Sequence, residues 1–149
     1  MIDKNSFRLS ILIPCYNEKN TIEKIVEKII ESLKKYNFLN YEIIIVDDNS
    51  HDGTKEKLKK FEVQENIKVF YHKKNYGKGS AIQTAISNSN SDVVIIQDAD
   101  LEYDPFDYNK LLLHFFEPEV TIKLVKKYKF YEIPITYDGR SYVEGKKYV

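Results

Sequence analysis

The sequence has few of the features that mark several classes of protein. It contains one cysteine, Cys15, so no disulfide can form within the chain and nothing indicates an oxidising compartment. Five glycines and four prolines are too few for a linker-rich or low-complexity protein. Lysine and arginine (23) equal aspartate and glutamate (23), so the basic excess expected of a nucleic-acid-binding protein is absent.

Long apolar runs and targeting signals are missing as well. No run approaches the roughly 20 residues that a membrane-spanning helix needs. The apolar stretch at residues 9–15 is short, contains Ser10 and Pro14, and lacks a small-residue cleavage site, which argues against a signal peptide. These absences predict a soluble, cytoplasmic protein. The 149 residues, 42% of them hydrophobic and 31% charged, suit one domain with a buried core.

Apolar residues follow two alternating periods through the first 98 residues. Short runs rich in β-branched residues predict four buried strands, and apolar residues at helical spacing predict three helices between them. The strands fall at residues 11–13, 43–46, 67–71 and 93–96, and the helices at residues 22–33, 54–61 and 81–86. Asn20 and Glu23 have the spacing of a capping pair for the first helix. This order predicts an α/β fold with an open, mostly parallel sheet and helices on both faces.

The last third of the chain has a different pattern. Apolar residues at 116, 120 and 124 predict another helix, beginning near Pro118. Residues 130–137 alternate between apolar and polar and predict a strand, and Pro134 within it favours an edge position. Residues 140–149 are polar and predicted to be irregular.

Polar residues follow each of the four predicted strands. In open α/β sheets, ligands bind beyond the carboxyl ends of the strands. The segments at these ends are residues 14–18, 47–54, 75–79 and 98–102. They contain carboxylates, amides, small residues and one lysine, and we expect them to face a single crevice.

Asp98 and Asp100 form an Asp-x-Asp pair after the fourth strand. Their carboxylates suit Mg²⁺ or Mn²⁺, with phosphate oxygens and water completing the shell, and the metal would neutralise a diphosphate. Zinc would require His or Cys ligands, and the histidines at positions 51, 72 and 114 show no ligand spacing. An isolated pair of this kind is more often a solvated acidic turn, but three other polar strand ends favour the metal site.

The loop after the third strand is suited to a phosphate group. Gly77 and Gly79 would let the backbone approach a phosphate at the start of the next helix, and Lys78 adds a positive charge. A flexible loop before a helix explains the same residues equally well. The loop is not a Walker A motif, because His72 stands where the upstream glycine is required. No G-x-G-x-x-G follows the first strand, which argues against a nicotinamide dehydrogenase.

The first two strand ends are suited to a nucleoside. Asp48 could accept a hydrogen bond from a ribose hydroxyl or a base N–H, although it could instead cap the next helix, as Ser50 or Asp52 could. Tyr16 could stack on a base, and Glu18 could bind the ribose. Cys15, at the same strand end, is more typical of a packing residue than of a nucleophile.

These four segments resemble family 2 glycosyltransferases with the GT-A, Rossmann-like fold. The nearest subgroup is the dolichyl- or polyprenyl-phosphate sugar transferases. The matching segments are ILIPCYNE (11–18), IVDDNSHDGT (45–54), NYGKG (75–79) and QDADL (97–101). The resemblance covers about residues 8–105, and residues 116–147 resemble the C-terminal end of the same domain. It therefore implies one domain over residues 1–149, with a donor-binding half and a C-terminal helix, strand and tail.

The resemblance implies inverting transfer of a hexose from a nucleoside-diphosphate sugar to an acceptor such as a polyprenyl phosphate, with Mg²⁺ or Mn²⁺. By position, the donor would be bound by Pro14, Tyr16, Glu18, Asp48, Gly77, Gly79 and Asp98. The metal would be bound by the DXD pair, Asp98 and Asp100, with Glu102. The catalytic set would be Asp100, Lys78 and Arg140. A lipid phosphate is already ionised and needs no general base, and it would place the protein at the membrane periphery.

One departure from the family pattern concerns the acceptor. Family members have a long segment with acceptor contacts between the metal motif and the final helix, whereas here only residues 106–115 separate Pro105 from Phe116. The pattern implies a truncated fold. One hypothesis is an active enzyme that uses a shortened acceptor site, which a second chain could complete. The other is an inactive nucleotide-sugar-binding or interaction remnant. A nucleotidyltransferase is less favoured, because such enzymes lack the segment at residues 14–18.

Overall fold

The computed structural model describes residues 7–115, which form one parallel sheet with helices on both faces. The strands are β1 (Leu9–Cys15), β2 (Tyr41–Asp47), β3 (Ile67–Tyr71) and β4 (Val93–Ile96), and the helices are α1 (Ile22–Lys35), α2 (Thr54–Leu58), α3 (Lys78–Ser87) and α4 (Tyr108–Phe115). Short 3₁₀ turns follow α2 at Lys59–Phe61 and precede α4 at Pro105–Asp107. The four predicted strands and the first three helices are confirmed.

The strand order is β3-β2-β1-β4, and all neighbours are parallel. Ile11 of β1 is in register with Ile43 of β2 and with Ile95 of β4. Every residue of β1 is buried. Because β1 lies between two strands and two helical layers, it needs a continuous apolar run, which the sequence provides. In the described range β4 has no neighbour on its other side, and its Val94 and Ile96 are 40% and 44% exposed.

The two faces of the sheet bury different helices. One face packs against α1, α2 and α4, and its core includes Ile11 and Ile13 of β1 with Ile25 and Ile29 of α1. Full burial of each such side chain contributes about 1.5–3 kcal/mol. The other face packs against α3, whose contacting residues are small. Leu12, Ile44, Val46, Ala81 and Ala85 form that second core. The expected α/β layering is therefore confirmed.

The start of α1 differs from the prediction. Asn20 does not cap the helix; Thr21 precedes it, and no side chain caps its first N–H groups. The Thr21 hydroxyl donates instead to Glu18 Oε2 at 2.6 Å. Glu23 pairs with the ammonium groups of Lys57 and Lys60, the latter at 2.6 Å. The capping prediction is wrong because two lysines near α2 hold the Glu23 carboxylate.

Glu42 is buried at the amino end of β2. Its carboxylate binds residues of β1 and β3 and of the segments that precede β1 and β4. Its carboxylate accepts hydrogen bonds from Ser10 Oγ (2.6 Å), Lys68 Nζ (2.8 Å) and the Asn90 N–H (2.9 Å), with Arg8 at 3.4 Å. Burial raises its pKa, but the hydrogen bonds from Lys68, Ser10 and Asn90 outweigh that effect and lower the pKa from 4.5 to about 2. Glu42 is therefore ionised at neutral pH.

The predicted elements after residue 115 lie outside the described residues. They are the helix near Pro118, the strand at 130–137 and the tail that contains Arg140. Helix α4 was not predicted from the sequence. Within residues 7–115, no helix has both the length and the apolar character needed to cross a membrane.

Candidate active site

A cavity of about 450 Å³ opens at the carboxyl edge of the sheet. Its volume falls in the usual range for small-molecule sites. The lining residues are Pro14, Cys15, Tyr16, Glu18, Asp48, Asn75, Gly77, Lys78, Ala81, Asp98 and Asp100. All four strand-end segments contribute, so the segments expected to share one crevice do share it.

Among the candidate residues that the structure describes, Glu102 and Gly79 do not line this cavity. Glu102 is buried, and its backbone N–H donates to Asp100 Oδ1 at 3.1 Å, which shapes the turn after β4. Gly79 lies in the first turn of α3, where an added Cβ would meet no atom within 4 Å. Arg140 lies outside the described residues.

The loop after β1 is fixed by side chains of the loop after β2. The Asn17 N–H donates to Ser50 Oγ at 2.8 Å, and the Glu18 N–H donates to Thr54 Oγ1 at 3.0 Å. In return, Asn17 Oδ1 accepts the His51 N–H at 2.9 Å. Asn17 has a φ of +53°, a conformation that asparagine tolerates better than most residues. These bonds hold the backbone directly after Tyr16, a residue that lines the cavity and is 46% exposed.

Asp98 and Asp100 both line the cavity, from the turn after β4. Asp98 Oδ1 forms an ion pair with Lys78 Nζ at 2.6 Å. Leu101, directly after the pair, has a φ of +66°, an unusual conformation for a bulky side chain. The turn thus pairs one carboxylate with the ammonium group of α3 and places the second carboxylate in the lining of the same cavity.

The carboxylates of Asp98 and Asp100 supply too few oxygens to hold a divalent cation alone, so a bound phosphate group and water would have to supply the others. Within residues 7–115, no group of three His, Cys, Asp or Glu side chains is arranged to hold a metal. Mg²⁺ commonly binds through one or two carboxylates and takes its remaining oxygens from phosphates and water. Asp98 and Asp100, which line one cavity, match that arrangement. A cation there would compete with the Lys78 ammonium group for Asp98.

Asp48 is 2% exposed, and both of its oxygens accept hydrogen bonds from the loop before α3. Oδ1 accepts the Tyr76 N–H at 2.9 Å, and Oδ2 accepts the Gly77 N–H at 2.7 Å. His72 Nδ1 lies 2.7 Å from Oδ1. Burial raises the pKa of Asp48, but the bonds from Tyr76, His72 and Gly77 outweigh that effect, so the net pKa is lowered.

Asp48 does not cap α2. Asp52 accepts the Thr54 N–H at 3.0 Å at the start of that helix. His72 could not be assigned a role from the sequence, because its separation of 24 positions from Asp48 gives no spacing signal. Only the adjacency of β2 and β3 brings the two side chains together.

The Cys15 thiol lies at the end of β1 and is 2% exposed. Burial raises its pKa well above the ordinary value, and the negative charges of Asp47 and Glu18 raise it further. The thiolate is the nucleophilic form of cysteine, so this thiol is unreactive in the folded protein.

Comparison with known sequences gives one family. The sequence profile of glycosyl transferase family 2 matches residues 10–142. The chain is 35% identical over 105 residues to a dolichol-phosphate mannosyltransferase of Pyrococcus furiosus, covering 70% of this chain and 29% of that protein. It is 33% identical over 107 residues to an undecaprenyl-phosphate 4-deoxy-4-formamido-L-arabinose transferase of Proteus mirabilis, covering 70% and 32%.

Solved structures share the fold. The mannosyltransferase PcManGT of Pyrobaculum calidifontis, in complex with GDP-Man and Mn²⁺, matches with a TM-score of 0.65 at 24% identity, covering 75% of this chain and 33% of that one. S. aureus TarS 1–349, in complex with UDP-GlcNAc, matches with a TM-score of 0.58 at 26% identity, covering 72% and 30%. The chain spans about a third of the length of these relatives.

Proposed function

Because the chain belongs to glycosyl transferase family 2 and has the GT-A fold, we propose that its cavity binds a nucleoside-diphosphate sugar and that the protein transfers a hexose to an acceptor. One observation supports this most directly. The nucleoside candidates Tyr16 and Asp48 line the same cavity as the diphosphate and metal candidates Lys78, Asp98 and Asp100. The sugar-nucleotide complex of TarS, a relative of the same fold, is consistent with such a ligand.

The nucleoside lies, in this proposal, against the loop after β1. Tyr16 offers an exposed aromatic face for the base, and Glu18 offers carboxylate oxygens for ribose hydroxyls. Asp48 bounds the same end of the cavity, with its oxygens already accepting two backbone N–H groups. Pro14 supports this loop at the end of β1.

The diphosphate lies against Lys78 and the start of α3. The unpaired N–H groups at the N-terminus of a helix and its dipole both favour an anion, and the Lys78 ammonium group adds a full charge. Gly77, and Gly79 in the first turn, let the backbone approach the phosphates. Lys78 is thus proposed to stabilise the negative charge that develops on the departing diphosphate.

A divalent cation, Mg²⁺ or Mn²⁺, fits between this diphosphate and the carboxylates of Asp98 and Asp100. When bound, it would neutralise charge on the diphosphate. The two aspartates hold negative charge at the turn after β4, and without a cation they would repel the ligand. Lys78, which pairs with Asp98, would then be released toward the phosphates.

The acceptor proposed is a polyprenyl phosphate. The chain's curated relatives include transferases named for dolichol phosphate and undecaprenyl phosphate. A phosphate acceptor is ionised at neutral pH, so its oxygen can attack the anomeric carbon from the side opposite the diphosphate without a general base. Such an acceptor would place the reaction at a membrane surface. Arg140 is proposed to lie near the diphosphate, and a partner chain to complete the acceptor site.

Donor binding is the part of this proposal that can be tested first. A panel of UDP- and GDP-sugars with Mn²⁺ should raise the melting temperature of the protein, since a ligand at 100 times its Kd stabilises the folded state by about 2.7 kcal/mol. The parent nucleosides, which lack the diphosphate, are the control and should give a smaller shift. If no nucleotide-sugar shifts the melting temperature, the proposed function is wrong.

A further inference from the structure

His72 bridges two elements behind the cavity. The residue lies directly after β3. Its Nδ1 is 2.7 Å from Oδ1 of Asp48, which follows β2, and its Nε2 is 2.9 Å from Oγ1 of Thr84 in α3. Its ring also meets the Tyr76 ring edge-on, at a centroid distance of 5.2 Å. The ring is therefore fixed on three sides by groups that belong to different parts of the fold.

These contacts determine where the ring proton sits. An ionised carboxylate can only accept hydrogen bonds, so the nitrogen that faces Asp48 must be the donor. The neutral ring then carries its proton on Nδ1, and Nε2 accepts the Thr84 hydroxyl proton, since a hydroxyl can donate as well as accept. The opposite tautomer would set two acceptors against each other at 2.7 Å.

The bridge acts on the loop that borders the donor site. Asp48 accepts the N–H groups of Tyr76 and Gly77, and the bond from His72 fixes the orientation of that carboxylate. Gly77 has φ +93° and ψ 162°, a backbone conformation that glycine adopts readily and other residues do not. The next residue is Lys78, which begins α3 and pairs with Asp98.

We propose that His72 is a positioning residue of the donor site, which acts as an Nδ1–H donor to Asp48 and thereby fixes the Tyr76–Gly77 backbone and the ammonium group of Lys78. The effect on the donor rests on the proposed function. The effect on the loop does not, because it concerns the protein without any ligand.

The tautomer gives a spectroscopic test. Long-range ¹H–¹⁵N correlation spectra of the histidine rings, recorded at a pH where the rings are neutral, should include a ring protonated on Nδ1 that belongs to His72. That signal should be absent in His72→Gln and should persist in Thr84→Val, because Asp48 and not Thr84 dictates the tautomer. A His72 ring protonated on Nε2 would overturn the proposal.

Two substitutions separate positioning from packing. An asparagine amide nitrogen can occupy the place of Nδ1 and still donate to Asp48, whereas a glutamine amide matches the place of Nε2. We expect His72→Gln to weaken nucleotide-sugar binding about tenfold, equivalent to about 1.4 kcal/mol, and His72→Asn to bind within threefold of the unmodified protein. Amide exchange at Tyr76 and Gly77, without ligand, should be faster in His72→Gln than in His72→Asn.

The outcomes distinguish this proposal from the proposed function. If the unmodified protein binds no nucleotide-sugar but the tautomer and exchange results hold, the proposed function fails and the role of His72 in the loop stands. If the protein binds donor and both variants bind it equally well, His72 does not position the site. Equal amide exchange rates at Tyr76 and Gly77 in the two variants would also refute the positioning role of His72.

Discussion

Glu42 is a buried carboxylate whose charge is maintained by its neighbours. Its side chain is 2% exposed, so ionisation is favourable only because Lys68, Ser10 and the Asn90 N–H hydrogen-bond to it. Removal of a hydrogen-bond donor from a buried carboxylate is costly, since part of its charge is left without compensation. The residue lies at the amino end of β2, at the opposite end of the strand from Asp48, and its effect should be on stability alone.

The stability of the protein should therefore depend on pH through Glu42. Its folded pKa of about 2 lies below the unfolded value of 4.5, so the stabilisation is complete above about pH 5 and is lost as the pH falls toward 2. The contribution is on the order of 3 kcal/mol. Urea unfolding of Glu42→Gln and of the unmodified protein should show a stability difference that shrinks between pH 5 and pH 2.

Glu23 provides the control for this measurement. Hydrogen bonds from Lys57 and Lys60 lower its pKa to about 2 as well, but the pair is partly exposed to water. Solvent screens such pairs, so Glu23→Gln should change the free energy of unfolding by less than about 1 kcal/mol. A Glu42→Gln effect that is equally small, or that does not vary with pH, would contradict the assignment.

Asp100 should affect ligand binding and leave the fold intact. Asp100→Asn removes one of the two carboxylates proposed to hold a cation, so nucleotide-sugar affinity in Mn²⁺ should fall at least tenfold by calorimetry. Asp92→Asn is the matched control, because Asp92 accepts the Arg8 N–H at 2.9 Å and an amide oxygen can accept the same bond. Unchanged affinity in Asp100→Asn would remove this aspartate from the metal site.

At the scale of elements, the start of α3 contains two glycines with different requirements. Gly77 has a φ of +93°, so alanine there would be strained even though no atom lies within 4 Å of the added Cβ. Gly79 lies within the helix, where alanine is favoured. The two positions are close in sequence and form a natural pair for comparison.

Gly77→Ala should lower the free energy of unfolding by about 1–3 kcal/mol, whereas Gly79→Ala should raise it by about 0.4–1 kcal/mol. Thermal unfolding of the two variants measures this directly. If the backbone at Gly79 approaches a phosphate as proposed, Gly79→Ala should also bind nucleotide-sugar more weakly in spite of its greater stability. A stabilised variant with unchanged affinity would show that no phosphate approaches Gly79.

The elements themselves could be predicted because their signals are local. Runs of β-branched residues such as 43–46 identify the strands, and helical spacing identifies α1 to α3. Helix α4 was missed because its three consecutive leucines, at 111–113, form a short apolar block with no clear helical period. The His72–Asp48 contact could not be predicted, since it depends on the pairing of β2 with β3.

The convergence of the strand ends was predictable for a related reason. A parallel sheet brings all of its carboxyl ends to one edge, so the order of elements alone predicts that residues 14–18, 47–54, 75–79 and 98–102 lie together. The side-chain partners within that edge were not predictable. The Lys78–Asp98 pair and the loss of Glu102 from the lining both depend on the conformation of the turn after β4.

At the scale of the whole molecule, the match covers about a third of the length of the curated relatives, so the acceptor site has to be tested by experiment. The described residues contain the proposed donor cavity, and transfer needs both substrates aligned within about 3–3.5 Å. We expect nucleoside diphosphate release from the preferred nucleotide-sugar to accelerate when a polyprenyl phosphate is added in detergent. A coupled assay with detergent alone is the control.

The dependence of that release rate on protein concentration tests whether a partner chain completes the acceptor site. If a second copy completes the acceptor site, the specific activity should rise with protein concentration. A specific activity that is constant with concentration would indicate that each chain acts alone. Release no faster than in detergent alone would contradict transfer to this acceptor class.

The buried Cys15 makes the molecule convenient to follow in solution. As the sole sulfhydryl, shielded at the end of β1 and poorly ionised, it should resist alkylating dyes for as long as the central strand stays in place. Labelling would then report the opening of that strand, at one site and without any engineered tag. A bound molecule that covers the strand end should slow the labelling further, so the labelling rate would measure how much of the protein has its cavity occupied.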